Sequence, residues 1–212
     1  CWIFGAVASI EYSHCKRNGD LISLSEQQIL DCDTLSDDHG CKGGFPGSAW
    51  SYVHMAGGIE SEENYPYVGY KGMCKFDLDK AKAKVSACYH SISGELNPVC
   101  VNSSIIRNEE TLIQALNDRP QTIVLDASSM QHYGGGIYHN SGDRPCENTP
   151  EHLNHALFAV GYEKHEDHDS FYIIKNSWDT HWGIDGYLHL ALGEDNTCGV
   201  ADYPGYAVAG NL

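Results

Sequence analysis

The stretch CWIFGAVASIEYSHC, residues 1–15, decides the fold of the first third of the sequence. Its apolar residues recur at the three- and four-residue spacing of one helix face: Ile3, Ala6, Val7 and Ile10. Asn18-Gly19 is a stop signal, so the pattern predicts a helix that ends near position 18. Cys1 heads this helix, where unpaired N–H groups and the helix dipole lower the pKa of a thiol. Position alone leaves Cys1 open as a nucleophile, a half-cystine or an inert thiol.

Three more helices are predicted downstream. Ser25 to Gln28 fits a capping box, which predicts a helix start near Ser25. Pro46 at a helix start and Gly57-Gly58 after SAWSYVHMA bracket another helix. In the stretch NEETLIQALND the apolar side chains share one face, which predicts a helix over 108–118.

The second half of the sequence reads as short strands, apolar and rich in β-branched or aromatic residues. They are TIVLDA (122–127), HALFAVGY (155–162), FYIIKNSW (171–178) and GYLHLAL (186–192). Helices first and strands later predict an α+β chain of two packed halves that share a broad interface.

The charge balance excludes several partner classes. The chain of 212 residues has 29 acidic and 13 basic residues, a formal net charge of −16. Such a surface repels nucleic-acid phosphates and anionic membranes. No apolar run approaches the roughly 20 residues that span a bilayer. We therefore expect neither nucleic acid nor a membrane as partner, and an acidic compartment where the twelve histidines gain charge.

The cysteine content predicts an oxidising compartment. Nine cysteines in this length favour disulfides, and the odd count leaves at least one thiol unpaired within the chain. The sequon Asn102-Ser103-Ser104 agrees with secretory passage and predicts a glycoprotein.

The strands on either side of EKHEDHDS, residues 163–170, suggest a hairpin that places a histidine beside an amide. If the hairpin is symmetric, paired positions sum to about 333, so His155 faces Trp178 and Asn176 lies diagonally, roughly 7–8 Å away. The amide could hold one imidazole nitrogen and leave the other for a thiol, with Trp178 as a roof. Alternatively, His155, Asn176 and Trp178 simply lie at strand ends and have no catalytic role. A bulge in the hairpin would also break this register.

The chain resembles the papain-family cysteine proteases and is similar to the lysosomal cathepsins. The matching stretches follow the family order and run nearly from end to end. They are CWIFGAVASIE, LISLSEQQILDCD, GCKGGFPGSAW, YPYVG, LNHALFAVGY, IIKNSWDTHWGIDGYLHL and NTCGVA.

The resemblance implies a papain-like two-domain fold of class α+β. Residues 1–105 would form a mainly helical domain, and 106–212 an antiparallel β-barrel-like domain whose C-terminus crosses back, with the active site in an interdomain cleft. Cys1 would be the nucleophile, His155 its general acid/base and Asn176 the residue that orients the imidazole. A thiolate–imidazolium pair would cleave peptide bonds through a thioester.

The resemblance also implies where a polypeptide substrate binds. Gly43-Gly44 would pair with the extended substrate backbone, because neither carries a side chain. The pocket for the second residue before the cut would be apolar and would favour Leu, Val or Phe; its lining is Phe45, Pro46, Val124, Leu153 and Ala156. The predicted substrate-binding set is completed by Asn154, Trp178 and Trp182, the last as part of the leaving-side wall.

Disulfides carry over from the resemblance as well. Cys32 would pair with Cys74, and Cys146 with Cys198. Cys41 matches a cysteine whose partner lies just before the nucleophile, and Cys15 is a poor substitute because roughly 21 Å of helix separates it from Cys1, beyond the ~7 Å limit of a bridge. Two further cysteines, Cys88 and Cys100, are extra to the family pattern and could bridge each other; Cys15 is expected to be a buried free thiol.

The sequence departs from the family pattern at two places. Family members carry a segment before the nucleophile, including a glutamine of the oxyanion hole. We therefore expect this sequence to be a fragment of a longer gene product, made as a zymogen, or the missing segment to be a separate chain. Losing one oxyanion donor costs about 10²–10³ in rate. Asp179 replaces a glycine, and it is a tolerable replacement if the position needs a positive φ. Because no histidine-bearing insertion precedes GCKGG, we expect an endopeptidase.

Three alternatives remain beside the protease. One is an inactive papain-like homologue with a binding or storage role. Another is an N-terminal-nucleophile amidohydrolase, in which the α-amine of Cys1 is the base and His155 is dispensable. The third is a metal site at His165 and His168, against which a flexible acidic loop is preferred. The protease hypothesis implies no cofactor and no metal, a monomer, inhibitors of the cystatin type, and a lysosomal, endosomal or secreted location.

Overall fold

A computed structural model of the chain describes residues 1–35, 38–90, 96–97 and 105–211. Cys100 and the sequon at Asn102 lie outside the described residues. The helices are α1 (Trp2–Asn18), α2 (Glu26–Cys32), α3 (Pro46–Ala56) and α4 (Glu109–Asp118). The strands are β1 (Val85–His90), β2 (Leu96–Asn97), β3 (Gln121–Leu125), β4 (Ile137–Tyr138), β5 (His155–Glu163), β6 (Phe171–Lys175), β7 (Tyr187–Ala191) and β8 (Gly205–Ala209).

The chain divides into two compact units. One comprises Cys1–Ser103 with Gly205–Leu212, and the other Ser104–Pro204. The first therefore contains α1–α3, β1, β2 and β8, and the second contains α4 and β3–β7.

The caps of the helices follow the predicted sequence signals. Gly19 ends α1 in the left-handed conformation, with φ 85°, and its N–H bonds the Cys15 carbonyl. Ser25 caps α2, where its hydroxyl accepts the Gln28 N–H at 2.9 Å. The reciprocal half of the predicted capping box is wrong, because the Ser25 N–H donates to the Glu60 carbonyl at 2.9 Å and Gln28 Oε1 accepts the Glu60 N–H at 2.7 Å instead.

The described residues of the first unit also form paired strands that the sequence analysis did not predict. Strand β1 pairs antiparallel with β2 on one side and with β8 on the other. Ser9 and Ser13 of α1 accept the N–H groups of Ala207 and Ala209 in β8, each at 2.9 Å. The expectation that helices come first and strands later is thus incomplete, since β1 lies within the helical part of the sequence.

The second unit is built on five neighbouring strands of the sheet, in the order β3-β5-β6-β7-β4. The pairs are antiparallel except for β4, which runs parallel to β7. Within the described residues, these strands are mixed in direction and are not closed into the barrel-like form that the resemblance implied. As predicted, α4 buries the face formed by Leu112, Ile113 and Leu116, and that face belongs to the core of this unit.

The β5–β6 hairpin has the predicted register at the end that carries the histidine. Phe158 pairs with Lys175 and Ala159 with Ile174, as a symmetric hairpin requires. A bulge then shifts the register by one residue, so that Gly161 pairs with Ile173. Because the bulge lies nearer the loop, it leaves the relation between His155 and Trp178 intact.

His139 links two loops of the second unit and predicts a pH-dependent stability. Its Nδ1 lies 2.6 Å from Glu194 Oε1 and its Nε2 lies 3.3 Å from Asp169 Oδ2. The hydrogen bond to Glu194 raises the pKa of His139 above its ordinary value, against the opposing effect of burial. This stabilisation is therefore fully present below the unfolded-state pKa, about 6.5, and is lost as pH rises through the higher folded-state pKa. We expect His139→Gln to lower the unfolding temperature more at pH 5 than at pH 8, as measured by thermal denaturation; equal losses would contradict this assignment.

Among the described residues, none of the helices combines the length and apolar character needed to cross a bilayer.

Candidate active site

Cys1 is the N-cap residue of α1, where its carbonyl accepts the Gly5 N–H at 3.0 Å. Its thiol is exposed and unbonded to another cysteine. It borders a depression of about 300 Å³ in the first unit, whose lining also includes Cys41, Gly43, Tyr67 and Gly69. An accessible thiol at a helix N-terminus is the arrangement in which cysteines are reactive.

Trp2 anchors Cys1 to the glycine segment predicted to bind substrate. Its indole N–H donates to the Gly40 carbonyl at 3.1 Å, and the side chain is 4% exposed. Gly44 lies directly against the indole: a Cβ there would be 2.6 Å from Trp2 Cε2 and 2.6 Å from Asp38 Oδ1. Because Trp2 follows Cys1 directly, the packing of Trp2 against Gly44 fixes the position of Cys1 relative to the Gly43-Gly44 backbone.

Asp38 is a residue of this segment that the sequence analysis missed. Its carboxylate is buried and accepts the Phe45 N–H at 3.1 Å. The His39 N–H donates to the Gly43 carbonyl at 2.8 Å. Phe45 is half-buried in extended backbone as the N-cap of α3, and Pro46 is the first, buried residue of that helix.

His155, in the second unit, is the first residue of β5 and is 5% exposed. Its Nε2 lies 2.8 Å from Asn176 Oδ1. The same Oδ1 accepts the Ser177 N–H at 2.8 Å, which requires that atom to be the amide oxygen. Nε2 must therefore carry a hydrogen and donate it, which leaves Nδ1 as the nitrogen that can exchange a proton.

Trp178 covers the imidazole. The two rings stack with centroids 4.7 Å apart and planes inclined by 28°. Trp182 meets Trp178 edge to face at 5.1 Å, and its indole N–H donates to the Met130 carbonyl at 3.1 Å. The structure thus brings together four predicted site residues of this unit: His155, Asn176, Trp178 and Trp182.

Burial and hydrogen bonding act in opposite directions on His155. Desolvation lowers the pKa of the imidazole below its ordinary value, and the hydrogen bond to Asn176 opposes that effect. The charged form therefore depends on a nearby anion. The roof formed by Trp178 strengthens any such charge pairing because it excludes water.

The predicted pocket residues of the second unit lie next to the histidine. Val124 and Ala156 are direct cross-strand partners, as are Leu125 and His155. Leu153 packs over Gly199, where a Cβ would be 2.4 Å from Leu153 Cδ2. The other predicted pocket residues, Phe45 and Pro46, belong to the first unit with Cys1, Gly43 and Gly44.

The structure joins Cys32 to Cys74 in the first unit and Cys146 to Cys198 in the second. Cys88 is disulfide-bonded. Cys15 and Cys41 are free thiols, Cys41 exposed and Cys15 half-buried rather than fully buried as predicted.

Asp179 has the positive φ that the sequence analysis considered, at 73°. Its carboxylate accepts hydrogen bonds from His181 and Thr180. These bonds, led by that of the His181 side chain, lower the pKa of Asp179 to about 2.

His165 and His168, considered as metal ligands, stack with centroids 3.8 Å apart in the β5–β6 loop. His165 Nε2 lies 3.2 Å from Glu163 Oε2. In the part of the chain that the structure describes, no group of three or more potential ligands converges as a metal site.

The sequence profile described as Papain family cysteine protease matches residues 1–208. The chain belongs to the papain family. It is 35% identical over 210 residues to Digestive cysteine proteinase 3 of Homarus americanus, a match that covers 97% of this chain and 59% of that protein. It is 34% identical over 208 residues to a Cathepsin L-like protein of Caenorhabditis elegans, covering 97% of this chain and 57% of that protein. The papain-family chain thus spans less than two thirds of the length of these curated relatives.

Solved structures of the papain family share the fold. Digestive procathepsin L 3 of Tenebrio molitor larval midgut superposes with a TM-score of 0.83 at 31% identity, covering 98% of this chain and 62% of that one. Bromelain of Ananas comosus, solved in complex with the E64 inhibitor, gives a TM-score of 0.79 at 30% identity, covering 98% of this chain and 88% of that one.

Proposed function

We propose that the protein is a cysteine endopeptidase in which Cys1 is the nucleophile, His155 the general acid/base and Asn176 the residue that fixes the imidazole. The observation that carries this proposal is the shared oxygen of Asn176, which accepts from both His155 and Ser177 and so sets the tautomer. The family match and the exposed thiol at the head of α1 support it. A metal or cofactor has no part in this chemistry.

The reaction begins with proton transfer from Cys1 Sγ to His155 Nδ1. The thiolate attacks the scissile carbonyl carbon, and the imidazolium gives its Nδ1 proton to the leaving amine as the peptide C–N bond breaks. Water then attacks the thioester with Nδ1 as base, which releases the acid product and restores the thiol. Throughout, Nε2 keeps its hydrogen and donates it in a hydrogen bond to Asn176 Oδ1, so the ring does not rotate between steps.

An extended polypeptide is the substrate that this site suits. Gly43 and Gly44 offer backbone without side chains, and Trp2 and Asp38 hold that segment in place. Asn154, Trp178 and Trp182 complete the proposed binding set, Trp182 on the leaving side. The apolar pocket residues named above carry no charge that would pair with a basic substrate side chain.

We predict a preference for bulky apolar residues at the second position before the cut. Two fluorogenic peptides that differ only there, with leucine or arginine, separate the possibilities. We expect kcat/KM to be at least about tenfold higher for leucine, because a guanidinium buried without a partner loses its hydration. Faster cleavage of the arginine peptide would contradict the pocket assignment while leaving the endopeptidase intact.

Location and partners extend the proposal. Disulfides persist in oxidising compartments, and the bridges at Cys32–Cys74 and Cys146–Cys198 fit a lysosomal, endosomal or secreted enzyme. The cathepsin and digestive proteinase names of the relatives agree with that location. Synthesis as a zymogen, a monomeric state and inhibition by cystatin-type proteins are parts of the same proposal.

A further inference from the structure

The end of strand β3 carries a buried carboxylate that no step of the proposed reaction uses. Asp126 is 3% exposed. Its Oδ1 accepts from the Ser128 N–H at 3.0 Å, from the Ser128 hydroxyl and from Asn154 Nδ2 at 2.6 Å. Its Oδ2 accepts from the Glu147 N–H at 2.8 Å. Four donors thus converge on one buried anion.

Those four donors keep the Asp126 carboxylate ionised. Burial by itself would raise the pKa of the carboxyl, but the hydrogen bonds from Ser128, Glu147 and Asn154 outweigh burial and hold that pKa below its ordinary value. Asp126 therefore remains an anion even in an acidic compartment. Hydrogen bonds to an ionised acceptor are roughly twice as strong as those between neutral groups.

Three polar groups of Asn154, the residue before His155, form hydrogen bonds to the segment 125–128. Its Nδ2 donates to Asp126 Oδ1 and, at 2.9 Å, to Ser128 Oγ. Its Oδ1 accepts the Ala127 N–H at 3.0 Å, and its own N–H donates to the Leu125 carbonyl at 3.1 Å. Both ends of the amide are therefore used, which fixes its orientation.

These hydrogen bonds of Asn154 set the position of the His155 backbone, from which the imidazole extends. His155 follows Asn154 directly and pairs with Leu125, the residue before Asp126. Asn176 and Trp178 fix the far side of the ring, but they act correctly only if the His155 backbone is in place. A misplacement of about 1 Å can cost about 10² in rate.

We propose that Asp126 is a positioning residue, which acts through Asn154 to hold His155 at the distance and orientation that the reaction needs. This inference rests on the proposed endopeptidase function for its kinetic consequence. Its structural content is independent of activity: loss of the Asp126 carboxylate displaces the His155 ring from Asn176.

The test is Asp126→Asn, which puts an amide NH₂ against the N–H donors. We expect kcat to fall about 10- to 100-fold while KM changes less than about threefold, since no substrate contact is lost. In parallel, the NMR signal of the His155 Nε2 proton, which Asn176 holds, should shift or broaden. Asn154→Ala should reproduce the fall in kcat and the change in the His155 signal, and these two readouts replace Asp126→Asn if that variant does not fold; KM is not compared for Asn154→Ala, because Asn154 belongs to the proposed binding set.

Glu109→Gln is the matched control. Glu109 is also a carboxylate of the second unit that accepts three hydrogen bonds, from Tyr172 Oη, the Gly193 N–H and the Asn196 N–H. The Glu109→Gln substitution should lower the unfolding temperature yet leave kcat and the His155 signal unchanged. The proposal is overturned if Asp126→Asn leaves both readouts unchanged, or if Glu109→Gln alters them equally. An inactive wild-type protein would refute the endopeptidase, and the His155 signal would still decide the role of Asp126.

Discussion

His155→Ala is expected to lower kcat/KM for peptide hydrolysis by at least about 10³-fold, within the range that positioned general acid–base groups contribute. The imidazole is asked to do three things: take the thiol proton, protonate the leaving amine and activate water. Alanine can do none of them. The loss should appear mainly in kcat, because the imidazole acts on atoms that change charge during the reaction. Steady-state kinetics on one fluorogenic peptide measures it.

The control for this substitution is His168→Ala, which removes an exposed histidine from the β5–β6 loop of the same unit. It should change kcat/KM by less than about threefold, as expected for a surface side chain. Retention of most activity in His155→Ala would favour the N-terminal-nucleophile amidohydrolase, whose base is an α-amine. It would also mean that the hydrogen bond between His155 and Asn176 has no role in the reaction.

Gly44→Ala is expected to lower the free energy of unfolding by about 1–3 kcal/mol, the usual cost of overpacking. The new Cβ would lie 2.6 Å from both Trp2 Cε2 and Asp38 Oδ1. Neither neighbour yields easily, because Trp2 is 4% exposed and bonded to Gly40, and Asp38 is 7% exposed and bonded to Phe45. Since Trp2 follows the nucleophile directly, we also expect kcat/KM to fall at least about tenfold. Chemical denaturation and peptide hydrolysis measure the two effects.

Gly134→Ala provides the comparison, since a Cβ at Gly134 would meet no atom within 4 Å. That variant should change the free energy of unfolding by no more than about 0.5 kcal/mol. If Gly44→Ala proved as mild as Gly134→Ala, the close packing of Trp2 against the glycine segment would not be a constraint on the site.

Local signals predicted the helices well because each helix carries at least one start or stop signal of its own. Gly19 and Gly57 both adopt the left-handed conformation that ends α1 and α3, and Asn108 caps α4. The strands beyond the apolar runs were missed for a physical reason. β1 is stabilised by β8, which lies more than a hundred residues away in sequence, so no local pattern announces the pair.

At the candidate site, the sequence could predict residue types and cross-strand neighbours but not supporting contacts. The hairpin register placed His155 near Trp178, and the bulge lay too far toward the loop to alter this relation. Asp38 and Asp126 could not be predicted in the same way. A buried aspartate differs from a surface one only through the donors around it, and those donors come from segments that the fold brings together.

Covalent labelling shows whether Cys1 is a nucleophile activated by His155. The protein is treated with an epoxide or vinyl sulfone peptide analogue, and intact mass and peptide mapping locate the adduct. We expect one adduct per chain at Cys1, none at the free thiols Cys15 and Cys41, and at least about a hundredfold slower labelling in His155→Ala. Equal labelling of Cys41, or a rate at Cys1 that does not depend on His155, would show that His155 does not activate Cys1 as the nucleophile.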